Sequence, residues 1–470
     1  MKKYLLTLSL AALGVLGAMA QTPGGGIDSL MMQRLRDAHR PTASDRAIRN
    51  ALNGTDLDKL ALNAEAPAVD DNFSNRVPSR GITDQKSSGR CWLFTGLNVL
   101  RSQMMRQNDL GELYLSQAYN FFFDQLEKSN LFLQSIIDSA DKPMNDRRVD
   151  FLFRYPLSDG GQFTGLSDNI SKYGVVPASA MPETWTANHT SKVSRLISLK
   201  LREDGLELRD MKKKGAKPAA IQKRKEAMLS EVYQILSRTI GTPPTTFTWT
   251  RKDSKGKVVD TRTYTPQSFY KEYAGNDLKN NYVMVMNDPT RPYWKLYEID
   301  LDRHVYDGEN WTYVNLPIET IKDMAIASIK DSTMMYFSCD VGKFLDRERG
   351  VLDPGNFDYE SLLGVKFGMD KADRIRTYGS ASSHAMTLVA VDLDKAGKPT
   401  KWLVENSWGK GPNDGHLIIT DPWFDEYMFR LVVDKKYAPQ QVLDVLKQKP
   451  TLLLNCTPKV RHKTFGVHYV

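Results

Sequence analysis

The sequence predicts an α+β chain in which a helical first half faces a strand-rich second half. Apolar residues recur at helical spacing from Cys91 to about Gln107, and an aromatic-rich helical pattern follows through 115–138. Beyond Asn281, short β-rich runs bounded by turn residues take over: Val283–Met286, Thr312–Pro317, Met334–Cys339, Met386–Asp392, Trp402–Asn406 and Tyr427–Val433. One helix at about Ile318–Lys330 interrupts them. The 470 residues, 41% hydrophobic and 26% charged, suffice for a large core in two or three domain-sized units.

Taken in order, residues 1–20 read as an export signal. Lys2 and Lys3 precede an apolar core from Leu5 to Gly17, and Ala18-Met19-Ala20 forms a small-x-small cleavage site. The core is too short to span a bilayer. The mature chain is therefore expected in the periplasm or secreted, with no membrane attachment. Loss of 1–20 removes two lysines and no acids, so the net charge of +8 becomes +6. That excess is too mild to mark a nucleic-acid binder.

Residues 21–43 form a flexible lead-in with a mixed helical pattern, and a capped helix is expected to start at Ser44 or Asp45. Residues 44–189 then make an N-terminal segment and the helical half that carries Cys91. A helical and hairpin insertion is expected over 190–275. Its Lys/Arg runs, Arg195–Lys200 and Met211–Lys225, are diluted by Glu203, Asp204, Glu207 and Asp210. They read better as a solvated helical hairpin than as a patch for an anionic partner. Residues 276–454 make the β-rich half, and 455–470 a basic C-terminal tail.

Three cysteines exclude a disulfide scaffold, and an odd count leaves at least one free thiol. Cys339 and Cys456 could pair, but nothing requires it, and buried free thiols are the expectation. Cys91 is the chemically loaded one. Gly89 gives a turn before the helical run, so Cys91 opens a helix, where the dipole and unpaired N–H groups favour thiolate and are expected to lower its pKa. Gln85, six residues earlier, can aim an amide N–H at an oxyanion formed on a carbonyl attacked by the sulfur. The competing reading is a buried structural cysteine.

The partners decide between them. Of seven histidines, His39, His189, His304, His462 and His468 sit in polar, ordinary settings, and His416 has no evident orienting group. His384 ends Gly-Ser-Ala-Ser-Ser-His and enters an apolar strand, so its ring can face a cleft from a rigid backbone. The next strand ends in Asn406-Ser407-Trp408-Gly409, which would bring Asn406 beside His384 to fix its tautomer. Trp408 could cover that hydrogen bond from water. With no His-Glu-x-x-His and no paired Cys-x-x-Cys, no metal or other cofactor is expected. The pair Gly160-Gly161 reads on its own as a tight turn.

These blocks, Gln85 with Cys91-Trp92, Ser383-His384-Ala385 and Glu405-Asn406-Ser407-Trp408-Gly409, resemble those of papain-like cysteine peptidases. Gln-Lys-Ser-Ser-Gly-Arg-Cys-Trp is similar to the bleomycin hydrolase/aminopeptidase C branch. So are Leu115-Ser116-Gln117, Asp159-Gly160-Gly161-Gln162, Tyr173-Gly174-Val175-Val176-Pro177, Cys339 to Leu345 and Phe367-Gly368-Met369, and the likeness runs from about 44 to 454. The resemblance implies a papain-like two-domain fold in which Cys91 is nucleophile, His384 acid/base, Asn406 its orienter and Gln85 the oxyanion donor. It also implies that Gly160, Gly161 and Ser383 meet a peptide substrate, with Trp408 supporting the site. An aminopeptidase, assembled as a homo-hexamer with its active sites inside, is the expected form.

Two features depart from the branch: the export signal, and the ending Asn455-Cys456-Thr457-Pro458, where a Trp-Asp-Pro-containing tail is expected. The tail keeps open an endopeptidase with an unblocked cleft. A different class, a binding protein holding an anionic polymer on the basic insertion, explains the charge but not the Cys/His/Asn set, and export disfavours nucleic acid as partner.

Overall fold

The computed structural model describes residues 25–454. The expected signal and the whole tail, with Cys456, His462 and His468, lie outside the described residues. At the centre is helix α1 (Cys91–Gln107), whose first eleven residues are all buried. A helix buried all round needs core on every side. Helices α2 (Gln117–Asp138) and α3 (Phe163–Tyr173) provide it on one side, and the main sheet on the other.

The sheet has twelve strands. Its middle is β1 (Tyr282–Met286), β2 (Met335–Cys339), β3 (His384–Leu393), β4 (Pro399–Glu405), β5 (His416–Thr420) and β6 (Met428–Asp434), in the spatial order β1-β6-β2-β3-β4-β5. Ala385 pairs with Ser338, Met386 with Phe337 and Thr387 with Tyr336; beyond them Leu431 pairs with Phe337 and Val432 with Tyr336. Because side chains alternate, Tyr336, Val432 and Ala385 join the core shared with the helices. Phe337, Leu431 and Met386 join a second core beneath the helix Ile318–Lys330. Both faces of β3 are covered, so it reads as a continuous apolar run rather than an alternation.

Between the halves of the sequence, residues 191–273 form a helical hairpin (Ser191–Lys213 and Pro218–Thr239), a two-stranded ribbon (Phe247–Lys252 with Val258–Tyr264) and a helix (Pro266–Tyr273). Some of the hairpin's cations are met within it: Lys200 pairs with Asp204 (2.9 Å) and Glu231 (3.0 Å), and Arg224 with Glu207 (2.6 Å). At the N-terminal side, the helix Ala43–Leu52 starts one residue before Ser44, and its cap is Thr42. Thr42 Oγ1 accepts from the Asp45 N–H (3.2 Å) while Asp45 accepts from the Thr42 N–H (2.6 Å), so Asp45 closes a capping box instead of starting the helix.

Candidate active site

The segment before Cys91 is locked by buried cations. Arg90, fully buried, donates from Nε to Ser88 Oγ (3.0 Å), pairs with Glu183 (2.8 Å), and lies over the rings of Phe94 and Phe121. Arg101, one face further along α1, donates to the carbonyls of Arg80 (2.6 Å) and Gly81 and stacks on Tyr114. Together they hold 80–90 against the helix start. Gly89 is required there, because a Cβ would collide with the Asp159 carboxylate that accepts from the Gly89 N–H (2.9 Å).

Cys91 is the first residue of α1, with its own N–H among the helix's unpaired donors. Backbone N–H groups of Ala385 and Trp92 also favour its anion, which sets the sulfur beside the first residues of β3. Burial nonetheless outweighs the helix terminus and pushes the thiol up to about 11, against the expected lowering. Burial likewise pushes His384 down to about 4. Burial thus works against either charge taken singly. Passing the proton from sulfur to the ring creates both charges at once, and two unit charges a hydrogen bond apart attract by about 4 kcal/mol in a protein-like dielectric.

The ring is oriented as the sequence suggests. His384 Nε2–H donates to Asn406 Oδ1 (2.8 Å), and that oxygen also accepts from the Ser407 N–H (2.8 Å), which fixes the amide. Among the described residues Nδ1 makes no hydrogen bond, to Cys91 or otherwise, and is the nitrogen left for the thiol. The Trp408 indole stacks on the imidazole, centroids 4.9 Å apart, and Arg347 lies over its ring at 5.5 Å.

Gln85 joins the two sides. Its Nε2 donates to Ser88 O (2.6 Å) with one hydrogen, leaving the second, while Oε1 accepts from Ser407 Oγ (2.6 Å) and its N–H donates to Ser407 O (2.8 Å). Ser407, unassigned from sequence though it sits between Asn406 and Trp408, thus ties Gln85 to Asn406. Gly160 and Gly161 line the cleft wall beside α1: Trp92 Nε1 donates to Asp159 O (3.0 Å). Ser383 is exposed at the mouth of β3, and its hydroxyl donates to Asp340 Oδ1 (3.2 Å), a residue that also accepts from Ser380 Oγ (2.8 Å). Arg347 carries no signal readable in the sequence, and Asp340 stands in the Cys339 to Leu345 block with no role assigned to it.

Two other residues need correcting or closing. His304, which reads as ordinary, is buried with Nδ1 2.6 Å from Asp124 Oδ1. His416 is a satisfied structural histidine, bonded to Ser79 Oγ (2.8 Å) and the Asn413 carbonyl (3.1 Å). Cys339, paired in register with His384, is a buried free thiol.

This arrangement has known counterparts. Residues 26–458 match the peptidase C1-like family. The chain belongs to that family. Among its relatives are aminopeptidase C of Lactobacillus delbrueckii subsp. lactis, 38% identical over 83% of this chain and 88% of that one. Human bleomycin hydrolase is 39% identical over 81% of this chain and 86% of its own. The crystal structure of PepW from Lactobacillus rhamnosis superposes with a TM-score of 0.88 at 37% identity, covering 92% of this chain and 98% of that one. The fold is the papain-like two-domain fold of this peptidase C1-like family.

Proposed function

We propose that the chain is a cysteine peptidase of the bleomycin hydrolase/aminopeptidase C type, removing N-terminal residues from peptides. The observation that carries it is the hydrogen-bonded line from Gln85 through Ser407 to Asn406 and His384, with Cys91 opening α1 beside the first residues of β3. Cys91 Sγ attacks the peptide carbonyl as its proton passes to His384 Nδ1. The oxyanion is met by the second hydrogen on Gln85 Nε2 and the unpaired Cys91 N–H. His384 then protonates the departing amine, leaving a thioester, and deprotonates the water that hydrolyses it. Names among the relatives support the aminopeptidase form.

The deciding experiment compares a free-amine peptide with its N-acetylated twin. Cleavage of the free peptide alone is expected, and equal rates would return the reading to an endopeptidase. Export rests on Lys2, Lys3 and the apolar run that follows, and cleavage after Ala20 with activity outside the cytoplasm checks it. The hexamer rests on family likeness, and light scattering on the purified protein reads its mass.

A further inference from the structure

The Gly160–Gly161 strip has an unusual support. Behind it lies a pocket of about 60 Å³, walled by Leu131, Phe132, Phe151 and Leu152 and bounded by Gly160, Gly161 and His304. Gln125 Nε2 also donates to the Ser158 carbonyl (3.0 Å), but the Gly160 carbonyl is reached by one side chain. Lys128, on α2 and 7% exposed, donates to the carbonyls of Gly160 (2.6 Å) and Ser158 (3.0 Å). Its charge is met by Asp124 (2.8 Å), which is fully buried one turn earlier and also holds His304. His304 stands edge-on to Trp92, centroids 5.0 Å apart, and a Cβ at Gly161 would run into both rings.

One covalent fact turns this into a statement about substrate. The Gly160 carbonyl and the Gly161 N–H belong to one planar trans peptide and point in opposite directions. A peptide between two glycines flips easily, since neither neighbour has a Cβ to oppose it. Pulling the carbonyl inward to Lys128 therefore turns the Gly161 N–H outward. Among the described residues neither the N–H nor the carbonyl of Gly161 is hydrogen-bonded, so both are free to pair with an extended backbone.

We propose that Lys128, charged against Asp124 and backed by His304, is a positioning residue for peptide substrate. It sets the Gly160–Gly161 peptide plane so that Gly161 presents its free N–H and C=O to the substrate backbone. The inference rests on the peptidase reading, in which the glycine strip meets the substrate, and says which side chain sets the orientation of that strip. Because these contacts exist before and during reaction, their loss weakens ground and transition states alike and falls on KM.

The test is Lys128→Gln, which keeps the length and one donor without the charge. It should raise KM about tenfold, the loss of a backbone hydrogen bond, with kcat within about twofold. Alkylation of Cys91 by iodoacetamide, too small to use the strip, should keep its wild-type rate. Lys128→Arg, with charge and donors retained, should recover most of the KM, and His304→Gln should raise it less than Lys128→Gln. An unchanged KM in Lys128→Gln overturns the proposal. So does a loss of alkylation that tracks the loss of turnover, which would make the network a support of Cys91 or of folding. If the wild-type protein hydrolyses no peptide, the peptidase reading falls. The strip is then judged by calorimetric Kd of the same peptide for Cys91→Ala with and without Lys128→Gln, equal values counting against it.

Discussion

The two walls of the cleft are held by opposite kinds of force. On the helical wall, full charges do the holding: Arg90 to Glu183, Arg101 to backbone carbonyls, Asp124 to Lys128 and Lys128 to the glycine strip. On the sheet wall, the His384 ring is held by neutral groups: the Asn406 amide, itself fixed by the Ser407 N–H, and the Trp408 indole. The difference follows from what each wall must do. A buried ion pair is rigid and loses heavily when one member goes, which suits a surface that must stay still. A carboxylate in place of Asn406 would hold the proton on the ring, whereas a neutral acceptor orients the ring and leaves its basicity free to change as the reaction proceeds.

The sharpest way to break the comparison is to remove the chemistry and keep both walls. Cys91→Ala should reduce peptide turnover on the order of 10⁴-fold or more, with the thermal midpoint near wild type. Retained turnover would remove Cys91 from the mechanism. Gln85→Ala takes the donor shared by the two walls. It should lower kcat about 10²–10³-fold with KM little changed, because the oxyanion exists only beyond the ground state. A rise in KM alone would reassign Gln85 to binding.

Removing the neutral orienter is expected to do less. Asn406→Ala should cost roughly 10–100-fold in kcat through misplacement of the ring. Its pH profile gives a second reading. The Asn406 hydrogen bond raises the His384 pKa against the stronger lowering by burial, so its loss moves the acid limb to still lower pH. A limb moving upward would mean the amide does not accept from the ring in solution.

How much of this was legible beforehand follows the same division. The neutral wall was readable because it is local: His384 and Asn406 end or open strands, and Trp408 follows two residues on. Helix α1 and the helix Ile318–Lys330 were placed by apolar period alone. The charged wall was not readable, because its partners are joined only by folding. Lys128 and Gly160 are 32 residues apart, and Asp124 and His304 are 180 apart. One signal was available: Asp124 and Lys128 stand one helical turn apart inside an aromatic core stripe, where an unpaired charge would be costly. The direction of the Cys91 shift escapes the sequence because a helix terminus is visible there, whereas burial beside β3 is not.

The smallest expected effect tests whether the neutral wall is neutral throughout. Arg347 is exposed, lies over the outer face of Trp408, and its charge adds to burial in lowering the His384 pKa. For an exposed charge the contribution is screened by salt. Since His384 acts as a base when neutral, activity is present above its pKa and lost as pH falls through it, in the region of about 4. Arg347→Gln should move that acid limb upward, toward the ordinary histidine value of 6.5, while kcat/KM at pH 7.5 stays within about twofold. Raising the ionic strength of the wild-type assay should shift the limb the same way, and should do less to the variant. A limb that moves with neither change would mean that the Arg347 charge over Trp408 does not reach the imidazole.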